Sequence, residues 1–302
     1  MPDLNPFRPF RRIAPPPLDG VASLPEMVLD DWAGLRHGIP GNDLDDWDPD
    51  YIRRVLPLMR RLVNTYFRGE VRGLENIPED GPVLLVGNHS GGTLIADTFV
   101  FACAFYEHFG PDRRFHQLAH DVAARLPGLG IRQWGTVAAN HDNARKAFDL
   151  GAPVLVYPGG DHESFRPSWE TDKIDFGGRK GFIKLALEQN VPIVPVVAIG
   201  GQETALFLGQ GRKISRALRL ENITRIKVFP VQLAPPFGVT LLDLPLRVPL
   251  PAKITVEVLP PVDLTERFGT EPEPEEIYDE VTGDMQDALT GLSDERTVPV
   301  LG

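Results

Sequence analysis

A histidine and an aspartate follow an apolar run early in the sequence. His89 comes just after the run at residues 82–87, and Asp97 follows eight positions later. A histidine beside a carboxylate is a common general base, because the carboxylate fixes the imidazole tautomer and stabilises the imidazolium ion. The pair therefore indicates general-base catalysis. A structural histidine with satisfied hydrogen bonds is the alternative.

The same turn allows a second interpretation, in which Ser90 is a nucleophile. Residues 88–92 read Asn-His-Ser-Gly-Gly, which is similar to the G-x-S-x-G turn of hydrolases except that Asn88 replaces the first glycine. A triad would need a later histidine, and no sequence signature supports any of the candidates, His116, His120, His141 and His162. A serine esterase using Ser90 is thus an alternative function.

A second glycine-containing turn, at residues 158–160, follows another apolar run. Gly159 and Gly160 allow backbone amides to approach a ligand oxyanion. Glu163 is suited to ordering a loop or orienting a donor, and Arg166 is suited to pairing with a phosphate. Each charged residue, taken singly, is equally compatible with a solvated surface position.

Two further cations, Arg179 and Lys180, lie near the N-terminus of the helix predicted at residues 178–189. Positive charges there oppose the helix dipole, so a bound anion would compensate them. Both residues are therefore candidate ligands of an anionic substrate.

A metal site is not expected from the histidines. His116 and His120 have the spacing of the first and last residues of H-E-x-x-H, but Gln117 stands where the glutamate would be. Ordinary surface or sheet-end histidines are the simpler interpretation.

Apolar runs alternate with helical patterns along the chain. Short apolar runs bounded by glycine or proline predict buried strands, and a 3.6-residue period predicts amphipathic helices. Strands are predicted at 82–87, 115–118, 153–157, 192–199 and 253–259, and helices at 51–68, 95–108, 143–150, 178–189 and 274–292. This alternation predicts a single α/β domain with a mixed, largely parallel β-sheet flanked by helices. The prolines of residues 233–246 argue against a regular central strand there.

Taken together, four segments resemble the ordered blocks of the glycerolipid (lysophospholipid) acyltransferase superfamily. They are 87–92 with Asp97, 135–137 with Asn143, 157–163, and 191–196. The third segment is similar to the P-G-G-x-x-E sequence of the monoacylglycerol/diacylglycerol acyltransferase-like branch. The resemblance covers roughly residues 65–262.

The resemblance implies a function and roles for these residues. His89 would deprotonate an acceptor hydroxyl, which then attacks an acyl thioester, and Asp97 would orient His89. Gly159, Gly160 and Glu163 would shape the acceptor pocket. The full set of candidate substrate-binding residues also includes Ser90, Gly91, Gly92, Arg166, Arg179 and Lys180. No bound cofactor is implied, because acyl-CoA or acyl carrier protein would serve as co-substrate. The acceptor would be a glycerolipid-like molecule.

Two departures from the superfamily pattern bear on this expectation. Seven residues separate His89 from Asp97 instead of four, and Leu94 stands at the usual aspartate position. Asp97 must therefore return on a longer Gly-Gly loop. If it does not, a non-catalytic lipid-binding protein of the same fold is the alternative. His141 and His162 stand where arginine is frequent, which disfavours a phosphate-bearing acceptor unless other cations substitute.

Charge and composition divide the chain into three regions. A proline-rich and acidic N-terminal arm occupies residues 1–50, the acyltransferase-like domain residues 51–262, and an acidic C-terminal helix and tail residues 263–302. The net charge of −11 argues against a nucleic-acid partner. The single cysteine, Cys103, excludes an intramolecular disulfide and is compatible with a reducing cytoplasm.

A cytoplasmic protein associated peripherally with a membrane is expected. The N-terminal residues lack the apolar core of a secretory signal, and no apolar run reaches the length of a membrane-spanning helix. The predicted helix 51–68 carries five arginines opposite its apolar face, which suits either a core-packed surface helix or a helix in a lipid interface. Within residues 206–252, a basic cluster precedes an apolar stretch at 233–250, a second way to reach a lipid surface.

Overall fold

The computed structural model describes residues 44–120, 130–209, 230–240, 243, 247–269 and 272–298. Its strands are β1 (Glu70–Arg72), β2 (Leu84–Gly87), β3 (His116–Ala119), β4 (Thr136–Ala138), β5 (Val154–Val156), β6 (Ile193–Ile199), β7 (Leu206–Gly209), β8 (Val231–Ala234), β9 (Gly238–Thr240) and β10 (Thr255–Val258). Its α-helices are α1 (Pro49–Thr65), α2 (Ala96–Phe109), α3 (His141–Asp149), α4 (Gly160–Ser164), α5 (Gly181–Gln189), α6 (Leu264–Phe268) and α7 (Pro274–Asp294).

Seven strands form one sheet in the order β1-β10-β6-β2-β5-β3-β4. The strands from β6 to β4 run parallel to one another, whereas β10 pairs antiparallel with β6. The mixed, largely parallel sheet flanked by helices that the sequence predicts is therefore confirmed. Strand β2 lies between β6 and β5, so the turns after β2 and β5 open at the same edge of the sheet.

Helices cover both faces of this sheet. Leu84 and Val86 of β2 point into the core formed with α5 and α7, and Leu85 points into the core formed with α1 and α2. Alternate residues of a strand face opposite sides, so β2 is buried on both. All four of its residues are buried, as the short apolar run predicts.

Helix α1 packs on the core. This agrees with the interpretation of the arginine-rich segment 51–68 as a core-packed surface helix. Its N-cap is Asp48, whose carboxylate accepts hydrogen bonds from the backbone N–H groups of Asp50 and Tyr51. Pro49 occupies the first helical position, where a missing N–H costs nothing. The Arg53 guanidinium binds Asp112, and the Arg60 guanidinium binds Glu107 of α2.

Strands β7, β8 and β9 form a second, antiparallel sheet. The expectation that the proline-rich stretch lacks a regular central strand is wrong for β8, which is the middle strand of this sheet. Pro235 and Pro236 lie in the turn between β8 and β9, where they interrupt no ladder hydrogen bond. The basic cluster at residues 212–227 lies outside the described residues, as does most of the N-terminal arm.

The C-terminal helix α7 packs on β6 and joins the main core. The face predicted from its period is buried: Ile277, Val281, Met285 and Leu289. Among the described residues, no helix combines the length and the apolar character that a membrane span requires.

Candidate active site

The loop after β2 is fixed at its start by the Asn88 side chain, which makes the two hydrogen bonds to a neighbouring strand that a backbone amide would make. The Asn88 amide donates to the carbonyl of Ala198 at 2.8 Å and accepts from the N–H of Ala198 at 2.7 Å. Ala198 belongs to the neighbouring strand β6, so the chain leaves the sheet at a defined point. His89 is the next residue, and its position is therefore set by the sheet.

Two contacts hold His89 itself. Its backbone N–H donates to Glu163 Oε2 at 3.0 Å, and its ring stacks on Tyr157 with ring centroids 4.5 Å apart and an interplanar angle of 23°. The Tyr157 hydroxyl bonds to Thr98 Oγ1 at 2.6 Å. A Cβ atom at Gly87 would lie 2.5 Å from the Tyr157 ring, so glycine is required for this stack. Sequence reasoning did not single out Tyr157, although it begins the third family-like segment.

The electrostatics of the site favour a neutral His89 imidazole. Burial lowers the pKa of His89, the Asp97 carboxylate opposes this shift, and the Arg166 charge lowers the pKa further. His89 Nδ1 is buried and has no hydrogen-bond partner among the described residues. A neutral imidazole is able to accept a proton.

Asp97, at the start of α2, bonds to the loop rather than to the histidine ring. Its carboxylate accepts from the N–H and hydroxyl of Ser90 at 3.2 and 3.0 Å, and from the N–H of Thr98 at 2.8 Å. No hydrogen bond or ion pair joins Asp97 to the His89 ring in the part of the chain that the structure describes. Asp97 acts on His89 through its charge, which raises the pKa of the imidazole.

These contacts also bear on Ser90 as a nucleophile. The Ser90 hydroxyl donates its proton to Asp97, and no described histidine nitrogen lies within hydrogen-bond distance of it. A serine nucleophile of the hydrolase type needs an adjacent histidine as its base. This arrangement does not provide one, so the geometry does not favour the esterase alternative.

The Gly91-Gly92 turn is held by protein groups on all sides. Both residues have left-handed backbones, with φ of +86° and +69°. The Gly91 N–H donates to Gln202 Oε1 and the Gly92 N–H to the Ser164 carbonyl, each at 3.0 Å. These amides are occupied, so the two glycines shape the loop instead of presenting free N–H groups to a substrate.

A buried ion pair clamps the same loop from the other side. Arg247 Nε donates to Asp243 Oδ1 at 2.7 Å, and the side chains of both residues are at most 1% exposed. The other Arg247 nitrogens donate to the carbonyls of Gly91 and Thr204. Asp243 Oδ2 accepts from both the N–H and the hydroxyl of Thr93. The loop that carries His89 is therefore bound to a segment about 150 residues later.

The turn after β5 supports His89 through Glu163. Glu163 is fully buried, accepts from the N–H groups of His89 and Asp175, and lies 3.5 Å from Arg166 Nη2. Burial raises the pKa of Glu163 to about 7, against the opposing charge of Arg166. A Cβ atom at Gly159 would collide with the Glu163 carboxylate, which explains that glycine. At Gly160 the backbone is left-handed, with φ of +49°.

Of the proposed cations, Arg166 lies next to Glu163, the residue that binds the His89 backbone. Its side chain is buried, and its Nη1 donates to the Lys173 carbonyl. It lines a cavity of about 240 Å³ together with Glu163, His162 and Asp175. His162 Nε2 in turn bonds to Asp175 Oδ2 at 2.8 Å.

Arg179 and Lys180 are bound to other protein groups. Arg179 donates to the carbonyls of Pro158 and Gly159 and to Asp161, so it braces the second turn. Lys180 pairs with Glu275 of α7. The sequence interpretation assigned both charges to a bound anion, but in this structure acidic side chains and carbonyls compensate them.

Comparisons with known proteins agree with this architecture. A family model described as Acyltransferase matches residues 68–199. The solved structure of the 1-acyl-sn-glycerophosphate (LPA) acyltransferase PlsC from Thermotoga maritima superposes with a TM-score of 0.52, covering 92% of this chain and 93% of that one. At 18% identity, this likeness shows the fold.

The chain is therefore similar to acyltransferases in its fold and, over residues 68–199, in its sequence.

Two further relatives illustrate the range of similar sequences. An uncharacterised protein of Mycobacterium tuberculosis is 28% identical over 84% of this chain and 70% of its own length. A Bos taurus protein described as a DGAT1/2-independent enzyme synthesizing storage lipids is 32% identical over 63% of this chain and 55% of its own length.

The acyltransferase match contains His89, Asp97 and Glu163, but not the groups that clamp the loop from beyond β6. Those groups are Gln202, Asp243 and Arg247, which sequence reasoning did not identify. One signal was available for two of them: Asp243 and Arg247 are opposite charges four residues apart in an otherwise apolar stretch. Such a pair in apolar surroundings is typical of a buried ion pair.

Proposed function

We propose that this protein transfers a fatty acyl group from a thioester donor, acyl-CoA or acyl carrier protein, to the hydroxyl of a glycerolipid acceptor. His89 is the general base. The observation that supports this most directly is the His89 imidazole, held at the carboxyl edge of the sheet by its contacts with Glu163 and Tyr157 and kept neutral by burial. General-base catalysis typically contributes about 10²–10⁴ in rate.

The reaction needs one proton carrier. The His89 imidazole takes the acceptor hydroxyl proton while the hydroxyl oxygen attacks the thioester carbonyl carbon. The carbon–sulfur bond then breaks, and the leaving thiolate receives the proton from the imidazolium. The products are an ester and a free thiol. Asp97 stabilises the imidazolium through its charge, since it raises the pKa of His89.

The charges around the second turn support an acceptor without a phosphate. His162 occupies the position where the superfamily often has arginine, and it bonds to Asp175. Arg179 and Lys180 are compensated by other protein groups. Relatives described as synthesizing storage lipids agree with a neutral glyceride acceptor.

A panel of acceptors tests this proposal. The purified chain would receive a long-chain acyl-CoA, or the same acyl group on acyl carrier protein, with monoacylglycerol, diacylglycerol or lysophosphatidate in vesicles. We expect transfer to the neutral glycerides to be about ten-fold or more faster than to lysophosphatidate, because Arg179 and Lys180 are bound to other protein groups and Arg166 is paired with the buried Glu163. Preference for lysophosphatidate would contradict the neutral acceptor. No transfer from any thioester, with lipid copurifying by mass spectrometry, would favour the lipid-binding alternative.

The pH dependence of kcat/KM reports the protonation of His89 in the free enzyme. Because burial holds the pKa of His89 below its usual 6.5, activity should be constant through neutral pH and fall only in more acidic solution, where the imidazole protonates. Removing the Arg166 charge raises the His89 pKa, so Arg166→Gln should move the acidic limb to higher pH. Removing the Asp97 charge lowers that pKa, so Asp97→Asn should move the limb to lower pH.

Lys184→Gln is the matched control for these shifts. Lys184 is an exposed cation paired with Glu188, so its substitution should leave the acidic limb of the kcat/KM profile unchanged. Limbs that move in the same direction for Arg166→Gln and Asp97→Asn would show that the titrating group is not His89.

A further inference from the structure

The second sheet carries apolar side chains on its outer face as well as on its inner face, where Phe207 and Ala234 are buried. Antiparallel sheets with one solvated face normally turn polar side chains to water. Here the buried side chains include Gln232, whereas Leu206, Leu208, Leu233 and Val239 point outward and are each at least 40% exposed.

These outward side chains form a continuous surface. Leu206 pairs with Leu233, and Leu233 pairs with Val239, so one apolar row crosses all three strands. Phe237, in the turn between β8 and β9, and Val248, whose N–H donates to the Pro235 carbonyl, adjoin it and are also exposed. We call these six residues the small-sheet face. They account for six of the ten exposed large hydrophobic side chains among the described residues.

The opposite side of the same strands contacts the His89 loop. The Phe207 ring lies so close to Gly92 that a Cβ atom there would be 2.9 Å from it. Gln232 donates to Asp243, the carboxylate that binds Thr93. A single layer of β-strands therefore separates the small-sheet face from the loop that carries the proposed base.

Two observations identify a lipid surface as the occupant. Trp169, which is 65% exposed, follows Ser168, whose hydroxyl bonds to the edge strand β7. Exposed tryptophan beside an apolar surface is typical of the membrane–water interface. The segment between β7 and β8, residues 210–229, lies outside the described residues, but its sequence holds six basic residues and one acidic residue in a chain of net charge −11. That local charge complements anionic headgroups.

We propose that the small-sheet face docks on a lipid bilayer and so places the His89 loop next to the membrane. The acceptor then enters from that membrane, a point that rests on the proposed function. Docking through this face differs from docking through the arginines of α1, two of which are paired with Asp112 and Glu107. The face supplies the apolar side chains that insert into the bilayer.

Vesicle flotation of the full chain tests the docking. Vesicles would contain phosphatidylcholine and phosphatidylglycerol in equal parts. We expect Leu233→Glu/Val239→Glu to lower the partition coefficient roughly ten-fold or more, because two inserted apolar side chains are lost. Leu206→Gln/Leu208→Gln, on another strand, should act likewise if the first pair fails to fold. Leu150→Glu, on an equally exposed leucine at the end of α3, is the control and should bind as the unaltered chain does.

Three results would overturn the proposal. Unchanged flotation of both folded pair variants would show that the face does not bind lipid. Loss of flotation only in Arg54→Gln/Arg61→Gln would place docking on α1. A dimer in sedimentation that the same pair substitutions dissolve would show that a second copy covers the face.

Transfer assays separate this proposal from the proposed function. With a water-soluble short-chain acceptor, Leu233→Glu/Val239→Glu should retain transfer that it loses with vesicles. If the unaltered chain floats with vesicles but transfers no acyl group to any acceptor, the proposed function fails and the docking stands.

Discussion

Replacing His89 with alanine is expected to lower acyl transfer by about 10²–10⁴-fold, because the step loses its proton acceptor. Substrate binding should change little, so the loss should appear in kcat. Single-turnover transfer from a radiolabelled thioester would measure the chemical step directly. Ser90→Ala is the matched control on the adjacent residue, and it should keep most of the activity.

The two substitutions distinguish the base from a serine nucleophile. If Ser90 formed an acyl-enzyme, Ser90→Ala would be the inactive variant and a fluorophosphonate probe would label Ser90. Because the Ser90 hydroxyl donates to Asp97, we expect Ser90→Ala to stay active and the probe to leave Ser90 unlabelled. Full activity in His89→Ala, with the acceptor confirmed, would contradict the mechanism.

Breaking the clamp behind the His89 loop should have the largest effect on stability. Arg247→Met leaves the Asp243 carboxylate buried without its cation, and removing one partner of a buried pair costs about 3–5 kcal/mol in free energy of unfolding. The same change removes a donor to the Gly91 carbonyl, so transfer should fall in the fraction that remains folded. Urea unfolding measures the first effect, and the transfer assay below the transition measures the second.

Two controls bracket this result. Lys184→Met removes a cation from an exposed pair and should cost about 0–1 kcal/mol. Arg247→Met/Asp243→Asn removes both charges and should recover part of the lost stability, because no uncompensated charge is then buried. A cost below about 1 kcal/mol for Arg247→Met would show that the pair does not hold the loop.

The sequence alone determined the frame of the site. The apolar runs at 82–87 and 153–157 predict strands buried on both faces, and parallel strands place the residues that follow them at one edge of the sheet. His89 and the turn at residues 158–160 therefore meet there because of local patterns. The apolar period of α7 likewise fixes its buried face, since a helix and its stripe are defined within a few turns.

The tertiary structure decided which partner each polar side chain takes. Asp97 bonds to Ser90 instead of the His89 ring, Tyr157 stacks on that ring, and Lys180 turns to Glu275. These choices depend on distances of about 3 to 5 Å between groups that are often far apart in the sequence. Local periodicity records which side of an element is apolar, whereas hydrogen bonds and ion pairs are selected only when distant segments pack together.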